Sequence, residues 1–236
     1  EFPGLLVTGL ATSYERGLDA VTGLSPLCLV FLGSTLGNFN PGETDAFLAR
    51  LERALAPDDS LLLGVDLVKD VKALEAAYDD AAGWSQRFTR NLFARMNREL
   101  GTTIDVEAID HVAYWNDRLD RIEIYARFRH ETPIELPSIG RSFRVAAGEM
   151  ILTEISRKFR VQGIAADLAR FGFALERAFT DEAGRFGLLL CRRIRRTAGP
   201  ALASRLAGEL QTTRLATLDI VESLSDDQLG TQVLPI

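Results

Sequence analysis

The chain has 236 residues, 47% of them hydrophobic and 25% charged, which is the composition of an ordinary soluble globular protein. A formal net charge of -6 argues against a nucleic-acid partner. No apolar run is long enough for a membrane span, and no signal peptide is expected at the start of the sequence. Cys28 and Cys191 both lie in apolar runs, so we expect buried free thiols and a reducing, cytoplasmic location.

The first third of the chain has the rhythm of an α/β sheet. Short apolar runs at 5–9, 27–32 and 61–67 predict strands buried on both faces, as in a parallel sheet. Asn40 followed by Pro41 is typical of a helix start. An apolar stripe at helical spacing follows: Phe47, Leu48, Leu51, Ala54 and Leu55. Strand, helix and strand in this order predict right-handed parallel crossovers.

The middle of the chain has a different pattern. Residues 68–100 have helical spacing, with Phe88, Leu92 and Met96 on one apolar face. Residues 109–150 alternate with period two, and "RIEIYARFRH" is predicted to pair with "HVAYWND" in an antiparallel hairpin. We therefore expect an inserted α+β lobe.

The α/β rhythm returns near residue 161. Residues 163–171 predict a helix that ends at Gly172, and "FALERAFTD" and "RFGLLLCRR" predict a β-hairpin. An open parallel sheet that ends in an antiparallel hairpin is typical of class I methyltransferases. This likeness concerns the fold alone and does not fix a function.

Three stretches could carry chemistry. In "EMILTEISRKFR", Glu154 and Ser156 share one face of a strand, which indicates either a solvated face or a grip on a small polar ligand. In "FLGSTLGNF", Gly33 and Gly37 would allow the backbone close to a ligand, and Asn38 offers both a donor and an acceptor, although a simple turn explains the same residues. In "AAYDDAAGWS", Tyr78 could bind a carboxylate or lie at a surface edge.

Other common catalytic or metal-binding patterns are missing from the sequence. His111 and His130 have no cysteine or histidine at ligand spacing, so we interpret both as ordinary strand residues. Asp79 and Asp80 point in different directions on a helix and make a poor metal pair. No metal is expected in this segment.

Taken in order, the three stretches resemble the L-histidine N-alpha-methyltransferases of ergothioneine biosynthesis over about residues 1–195. The resemblance implies a class I methyltransferase (Rossmann-like) sheet with an inserted α+β substrate-binding lobe. It also implies a cytoplasmic enzyme that uses S-adenosyl-L-methionine to trimethylate L-histidine to hercynine, with no metal. The implied division is 1–67 and 159–196 for the methyltransferase core and 68–158 for the substrate-binding lobe.

The same resemblance assigns roles to residues at matching positions. Asn38 and Tyr78 would hold the amino-acid end of histidine, and Glu154 and Ser156 would hold its imidazole, with Ile155 between them in the substrate-binding set. A neutral imidazole has one N–H for Glu154 to accept and one bare nitrogen for Ser156 to bind. Beyond positioning and exclusion of water, no catalytic residue is identified.

The cofactor-binding set implied by the resemblance is Ser13, Tyr14 and Gly33. Family members usually have an acid where this chain has Ser13, so a hydroxyl replaces a carboxylate as acceptor for the adenine amino group, and cofactor binding would weaken by about 1–2 kcal/mol if no other acceptor substitutes. The glycine-rich loop and the ribose-binding acid of the family are also absent from the sequence. We therefore expect a chain cut from a longer protein that does not bind the cofactor measurably by itself.

The end of the chain has a second likeness. After the predicted linker "TAGP", residues 197–236 resemble the start of the helical DinB-like domain of the iron-dependent sulfoxide synthase in the same pathway. This implies a covalent fusion of two enzymes, with a simple C-terminal helix as the other interpretation. Two alternatives to histidine methylation remain open: a methyltransferase for another small amine, and a non-catalytic scaffold for the synthase domain.

Overall fold

The computed structural model describes residues 4–195 of the chain. The predicted linker "TAGP" and the predicted helical segment after it lie outside these residues. Five α-helices are described: α1 (Tyr14–Val21), α2 (Pro41–Ala54), α3 (Val71–Tyr78), α4 (Trp84–Leu100) and α5 (Val161–Arg170). Within residues 4–195, none of the helices combines the length and apolar character that crossing a membrane requires.

Four strands form the main sheet: β1 (Cys28–Phe31), β2 (Ser60–Asp66), β8 (Phe173–Thr180) and β9 (Phe186–Arg193). Their order is β1-β2-β9-β8, with β1 parallel to β2 and β9 antiparallel to both of its neighbours. The predicted parallel pair and the predicted hairpin are thus both confirmed. Within this hairpin β9 pairs with β2, and β8 forms the outer edge of the sheet.

The part of the chain between β2 and α5 in sequence forms two smaller sheets. The first contains β3 (Ile109–Asn116), β4 (Arg121–Phe128) and β7 (Met150–Arg157), in the order β3-β4-β7, all antiparallel. The second is a hairpin of β5 (Thr132–Leu136) and β6 (Arg141–Val145). The predicted pairing of "HVAYWND" with "RIEIYARFRH" is confirmed by the register, which joins Asn116 to Arg121 across the turn.

The main core lies between the four-stranded sheet and the helices α2 and α5. All five residues of the predicted α2 stripe are buried in it, beside strand residues such as Leu61 and Leu189. Asn40 caps α2 as predicted, because its side chain accepts from the N–H of Glu43 and the Glu43 carboxylate accepts in return from the N–H of Asn40. A second apolar layer packs α3 against β3 and β4 through Leu74, Ile122 and Ile124.

The predicted strand at residues 5–9 is wrong. These residues are irregular, and Leu5 and Leu6 are 68% and 90% exposed. An apolar run becomes a strand only when another strand takes its hydrogen bonds, and within residues 4–195 β1 pairs with β2 alone. The next strand, β1, is consequently an edge strand with one face open, which corrects the expectation that it is buried on both faces.

This edge position also corrects the expectation for the thiols. Cys28 on β1 is exposed, whereas Cys191 at the centre of β9 is buried. Burial raises the pKa of the Cys191 thiol to about 12, so this side chain is an inert apolar residue. On α4, Phe88 and Leu92 of the predicted apolar face are exposed, whereas Met96 packs against a core cluster beside the buried Phe93.

Candidate active site

One hollow of about 350 Å³ collects side chains from five separate parts of the chain. A volume of roughly 300 to 1,000 Å³ is usual for a site that holds a small molecule. Four predicted substrate residues line it together: Asn38, Tyr78, Glu154 and Ser156. The predicted cofactor residue Gly33 also lines it, with four residues that the sequence analysis did not select: Ser34, Asp66, Lys158 and Phe186.

A short 3-10 turn, Thr35–Asn38, carries Asn38 to the hollow after β1 ends. A side chain at Gly37 would place its Cβ 2.6 Å from the carbonyl oxygen of Arg157, so only glycine lets this turn lie against β7. Gly37 was expected to allow the backbone close to a ligand, and it allows close packing of two protein segments instead. The consequence is that Asn38 sits beside Glu154 and Ser156.

The turn is also fixed to the end of β2. Gly33 has φ of 80° and Ser34 has φ of 56°, both in the left-handed region, where a non-glycine residue such as Ser34 is uncommon. The Ser34 hydroxyl accepts a hydrogen bond of 2.9 Å from the backbone N–H of Asp66. This contact joins the carboxyl ends of two parallel strands, which is where α/β sheets place ligands.

Tyr78 is the last residue of α3, and a histidine fixes its backbone. The Nε2 of His111 lies 2.7 Å from the carbonyl oxygen of Tyr78 and must donate, because a carbonyl can only accept. In the neutral ring, Nδ1 then accepts from the Thr89 hydroxyl at 2.8 Å. His111 was interpreted as an ordinary strand residue, and the structure gives it the role of anchoring the end of α3.

A buried ammonium group organises the hydroxyls of the hollow. Lys158 is 1% exposed, and its Nζ lies 2.7 Å from the Oη of Tyr78 and 2.9 Å from the Oγ of Ser156. The same Nζ lies 2.9 Å from Oδ2 of Asp66, whose other oxygen meets Lys69 at 2.5 Å. Tyr78 and Ser156 are also hydrogen-bonded to each other, at 2.8 Å.

Glu154 and Asn38, by contrast, have unused hydrogen-bonding groups. Neither side chain makes a hydrogen bond or ion pair to another residue in the described range 4–195. Glu154 is half-buried and also lines a second hollow of about 250 Å³, together with Phe88 and Leu92 of α4. Ile155 faces the opposite side of β7, since neighbouring strand residues alternate, and its side chain does not line the first hollow.

Tyr14 lines a neighbouring hollow of about 460 Å³, which shares Asn38 with the first one. Its ring packs edge-on against Phe31 and Phe47, each at 5.8 Å between ring centroids. Burial, followed by the adjacent Glu15, raises the pKa of Tyr14, so its phenol stays neutral. Ser13 is the residue before α1 and lines neither hollow.

The residues that sequence reasoning missed had weak signals. Lys158 continues the alternation of Glu154 and Ser156 on one strand face, so period-two counting carried two residues further would have found it. Asp66 follows a buried strand at its carboxyl end, a usual ligand position in α/β sheets. Phe186 could not be found, because it comes from the far end of the chain.

The comparisons with known proteins agree on one family. Residues 1–193 match the family model described as histidine-specific methyltransferase, SAM-dependent. The chain is 42% identical to a histidine N-alpha-methyltransferase of Mycolicibacterium smegmatis, over 82% of this chain and 60% of that protein. It is also 42% identical to a histidine N-alpha-methyltransferase of Mycobacterium tuberculosis, over 80% of this chain and 59% of that protein.

A more distant relative is longer. Ergothioneine biosynthesis protein 1 of Neurospora crassa is 32% identical over 42% of this chain, and the matched part is 12% of that protein. The chain spans about 60% of the length of the mycobacterial relatives. The four-stranded sheet with its antiparallel hairpin and the additional small sheets is a class I methyltransferase-like α/β fold. From its match over residues 1–193, the chain belongs to the family of SAM-dependent, histidine-specific methyltransferases.

Proposed function

We propose that the intact protein transfers methyl groups from S-adenosyl-L-methionine to the alpha-amino nitrogen of L-histidine and forms hercynine for ergothioneine biosynthesis. The observation that carries this proposal is that Asn38, Tyr78, Glu154 and Ser156 border one hollow, although they come from three distant segments. The names of the two mycobacterial relatives, each 42% identical, support the same substrate.

In the proposed complex the imidazole lies between Glu154 and Ser156. The free Glu154 carboxylate accepts from the ring N–H, and the Ser156 hydroxyl serves the bare ring nitrogen. The amino-acid end then lies toward Asn38 and Tyr78. A site that bonds both ring nitrogens rejects side chains without them, because unpaired polar groups would be left in a half-buried site.

The residues present also suit S-adenosyl-L-methionine. A Cβ at Gly33 would meet only the Thr35 hydroxyl, at 3.8 Å, so space is open above this backbone for a ligand. The neighbouring hollow offers the ring of Tyr14 and the carboxylates of Glu15 and Glu43, which suit an aromatic base with an amino group. These carboxylates are acceptors of the kind that the Ser13 hydroxyl replaces in this chain. The cofactor supplies a methyl group on a positively charged sulfur.

The chemistry asks for positioning more than for a reactive side chain. When bound, S-adenosyl-L-methionine would supply the methyl group, and the residues of this chain would hold the alpha-amino nitrogen toward it while the amine proton leaves to water. Asn38 borders both hollows, so it can hold the amino-acid end of the substrate at their junction. Holding two reactants in line in this way contributes roughly 7–11 kcal/mol in favourable cases.

Turnover by the intact protein tests the proposal. The protein is incubated with histidine and methyl-labelled cofactor, and hercynine is measured by mass spectrometry. Formation of hercynine supports the proposal and removes the scaffold alternative. Turnover with a different small amine but not with histidine would replace histidine as the substrate, and no turnover with any amine would favour the scaffold.

We also propose that residues 68–158 form the substrate-binding lobe and that residues 197–236 begin a sulfoxide synthase domain of DinB-like type. The much greater length of the Neurospora crassa relative supports a fusion. We expect the 236-residue chain alone not to bind the cofactor measurably, since its sequence lacks the glycine-rich loop and the ribose-binding acid. Calorimetry that finds micromolar binding would contradict this expectation.

A further inference from the structure

The ammonium group of Lys158 has three hydrogens and three acceptors. These acceptors are Oδ2 of Asp66 at 2.9 Å, Oη of Tyr78 at 2.7 Å and Oγ of Ser156 at 2.9 Å. The side chain is 1% exposed, so water does not compete for these contacts. Lys158 therefore has no hydrogen left for a ligand, although it lines the hollow.

Their contacts with Lys158 and with each other limit how the hydroxyls of Tyr78 and Ser156 can bind a ligand. Each hydroxyl has one hydrogen, and each oxygen already accepts from Lys158. Tyr78 and Ser156 lie 2.8 Å apart, so one of them donates to the other and spends its hydrogen in that contact. Only one hydroxyl hydrogen of the pair remains for a ligand.

We propose that Lys158, held by Asp66, is a positioning residue that fixes the oxygens of Tyr78 and Ser156 side by side, so that their mutual hydrogen bond leaves the pair one free hydroxyl hydrogen. When a ligand takes this hydrogen from Ser156, Tyr78 donates to Ser156 and can only accept from the ligand. This deepens the proposed function and rests on it for the identity of the ligand. With histidine, Ser156 donates to the bare ring nitrogen, and Tyr78 accepts from the alpha-amino group.

The direction of the Tyr78 contact matters for methyl transfer. An amine that donates an N–H to Tyr78 keeps its lone pair free for the methyl carbon, whereas an amine that accepts from Tyr78 has its lone pair occupied. The amide of Asn38 is then the group that serves the carboxylate of the substrate. Lys158 thus sets the orientation of the nucleophile through Tyr78 without touching it.

Lys69 provides a matched control. It is also a lysine paired with Asp66, at 2.5 Å, but it does not contact Tyr78 or Ser156. A Lys69→Met variant removes one positive charge from the same carboxylate and leaves the hydroxyl pair untouched. Any effect that is specific to the hydroxyl pair will therefore appear in Lys158→Met and not in Lys69→Met.

The first experiment needs no substrate. The chain contains four tyrosines, so ¹³Cζ labelling of tyrosine gives four NMR signals, and Tyr78→Phe identifies that of Tyr78. We expect Lys158→Met to shift the Tyr78 signal and Lys69→Met to leave it in place. Equal shifts in the two variants would overturn the proposal, whatever the substrate proves to be. If Lys158→Met does not fold, Lys158→Arg, whose planar fork cannot reach all three acceptors, is compared with Lys69→Arg in the same way.

The second experiment uses turnover by the intact protein. Lys158→Met is expected to lower kcat for histidine by roughly tenfold or more, because the amine is misaligned, while Lys69→Met stays within about twofold. Tyr78→Phe alone should reduce kcat. Added to Lys158→Met in a double variant, it should reduce kcat little further. Independent, multiplicative losses would overturn the proposal. Absence of histidine turnover in the wild type would refute the proposed function alone and leave the NMR result to decide the role of Lys158.

Discussion

Two charged clusters lie on opposite faces of the β3-β4-β7 sheet, and their comparison separates a site from a structural element. Glu123, 3% exposed, accepts from Arg121 and Asn116 on one oxygen and from Tyr125 on the other. Glu154, on the opposite face, has no partner among the described side chains and borders a hollow. Both clusters contain carboxylates, cations and tyrosines, so composition does not distinguish them.

The difference between the clusters lies in unused hydrogen-bonding groups beside empty space. Around Glu123 every carboxylate oxygen has a partner, and the rings of Tyr114 and Tyr125 stack at 5.5 Å over the cluster. Around Lys158 the cation is fully paired, but Glu154 and Asn38 stay available for a ligand. A satisfied network stabilises the fold, and an unsatisfied one is available for binding.

The largest expected effect is on stability, at the cluster around Glu123. Glu123→Ala leaves Arg121 largely buried without its partner, and we expect the free energy of unfolding to fall by about 3 kcal/mol. Chemical denaturation measures the change. Glu131→Ala is the control, because its pair with Arg144 is exposed and contributes less than about 1 kcal/mol. Equal losses in both variants would show that the Glu123 cluster is not a structural element.

The next largest expected effect is on histidine binding, at Glu154 beside the Lys158 cluster. Glu154→Ala should weaken histidine binding to the intact protein by roughly 10- to 100-fold, because a charged hydrogen bond is lost, and should leave the unfolding free energy nearly unchanged. Glu154→Gln retains one acceptor oxygen and should lose less. Isothermal titration calorimetry measures both variants. Unchanged histidine affinity in Glu154→Ala would remove this residue from the proposed site.

A packing change should affect both stability and the site. Gly37→Ala forces its new Cβ against the carbonyl of Arg157, so we expect a loss of about 1–3 kcal/mol in stability and weaker histidine binding through displaced Asn38. The control is Gly163→Ala, since Gly163 lies in α5 with open space around it and should gain up to about 1 kcal/mol. Thermal unfolding of both variants decides whether the close approach is required.

The smallest effect is a pH dependence. Burial raises the pKa of Glu123, but hydrogen bonds from Arg121 and Tyr125 together lower it by a larger amount. The pKa of Glu123 in the folded protein therefore lies below its value in the unfolded chain. This carboxylate therefore contributes stability above the unfolded pKa and loses it as the pH falls through the folded pKa. Glu123→Gln should have a shallower loss of stability than the wild type below about pH 4. Parallel acid unfolding curves would contradict this assignment.

Local patterns were sufficient for most helices and strands. The capped start of α2, the β3-β4 hairpin and the β8-β9 hairpin were predictable because capping, alternation and turns depend on residues near in sequence. The strand expected at 5–9 failed because apolar composition does not specify a partner for the backbone. Cys28 was expected to be buried for a similar reason, and its edge strand leaves it exposed.

The candidate site was also predictable only in part from local sequence patterns. The sequence determined that Glu154 and Ser156 face together on β7, because strand periodicity is a local property, and the same count carried past the end of β7 reaches Lys158. Only the tertiary structure decided that Lys158 meets Asp66 and Tyr78, and that Gly37 brings Asn38 beside β7. These contacts join residues about 80 to 120 positions apart, whose approach depends on how whole sheets and helices pack and not on any nearby pattern.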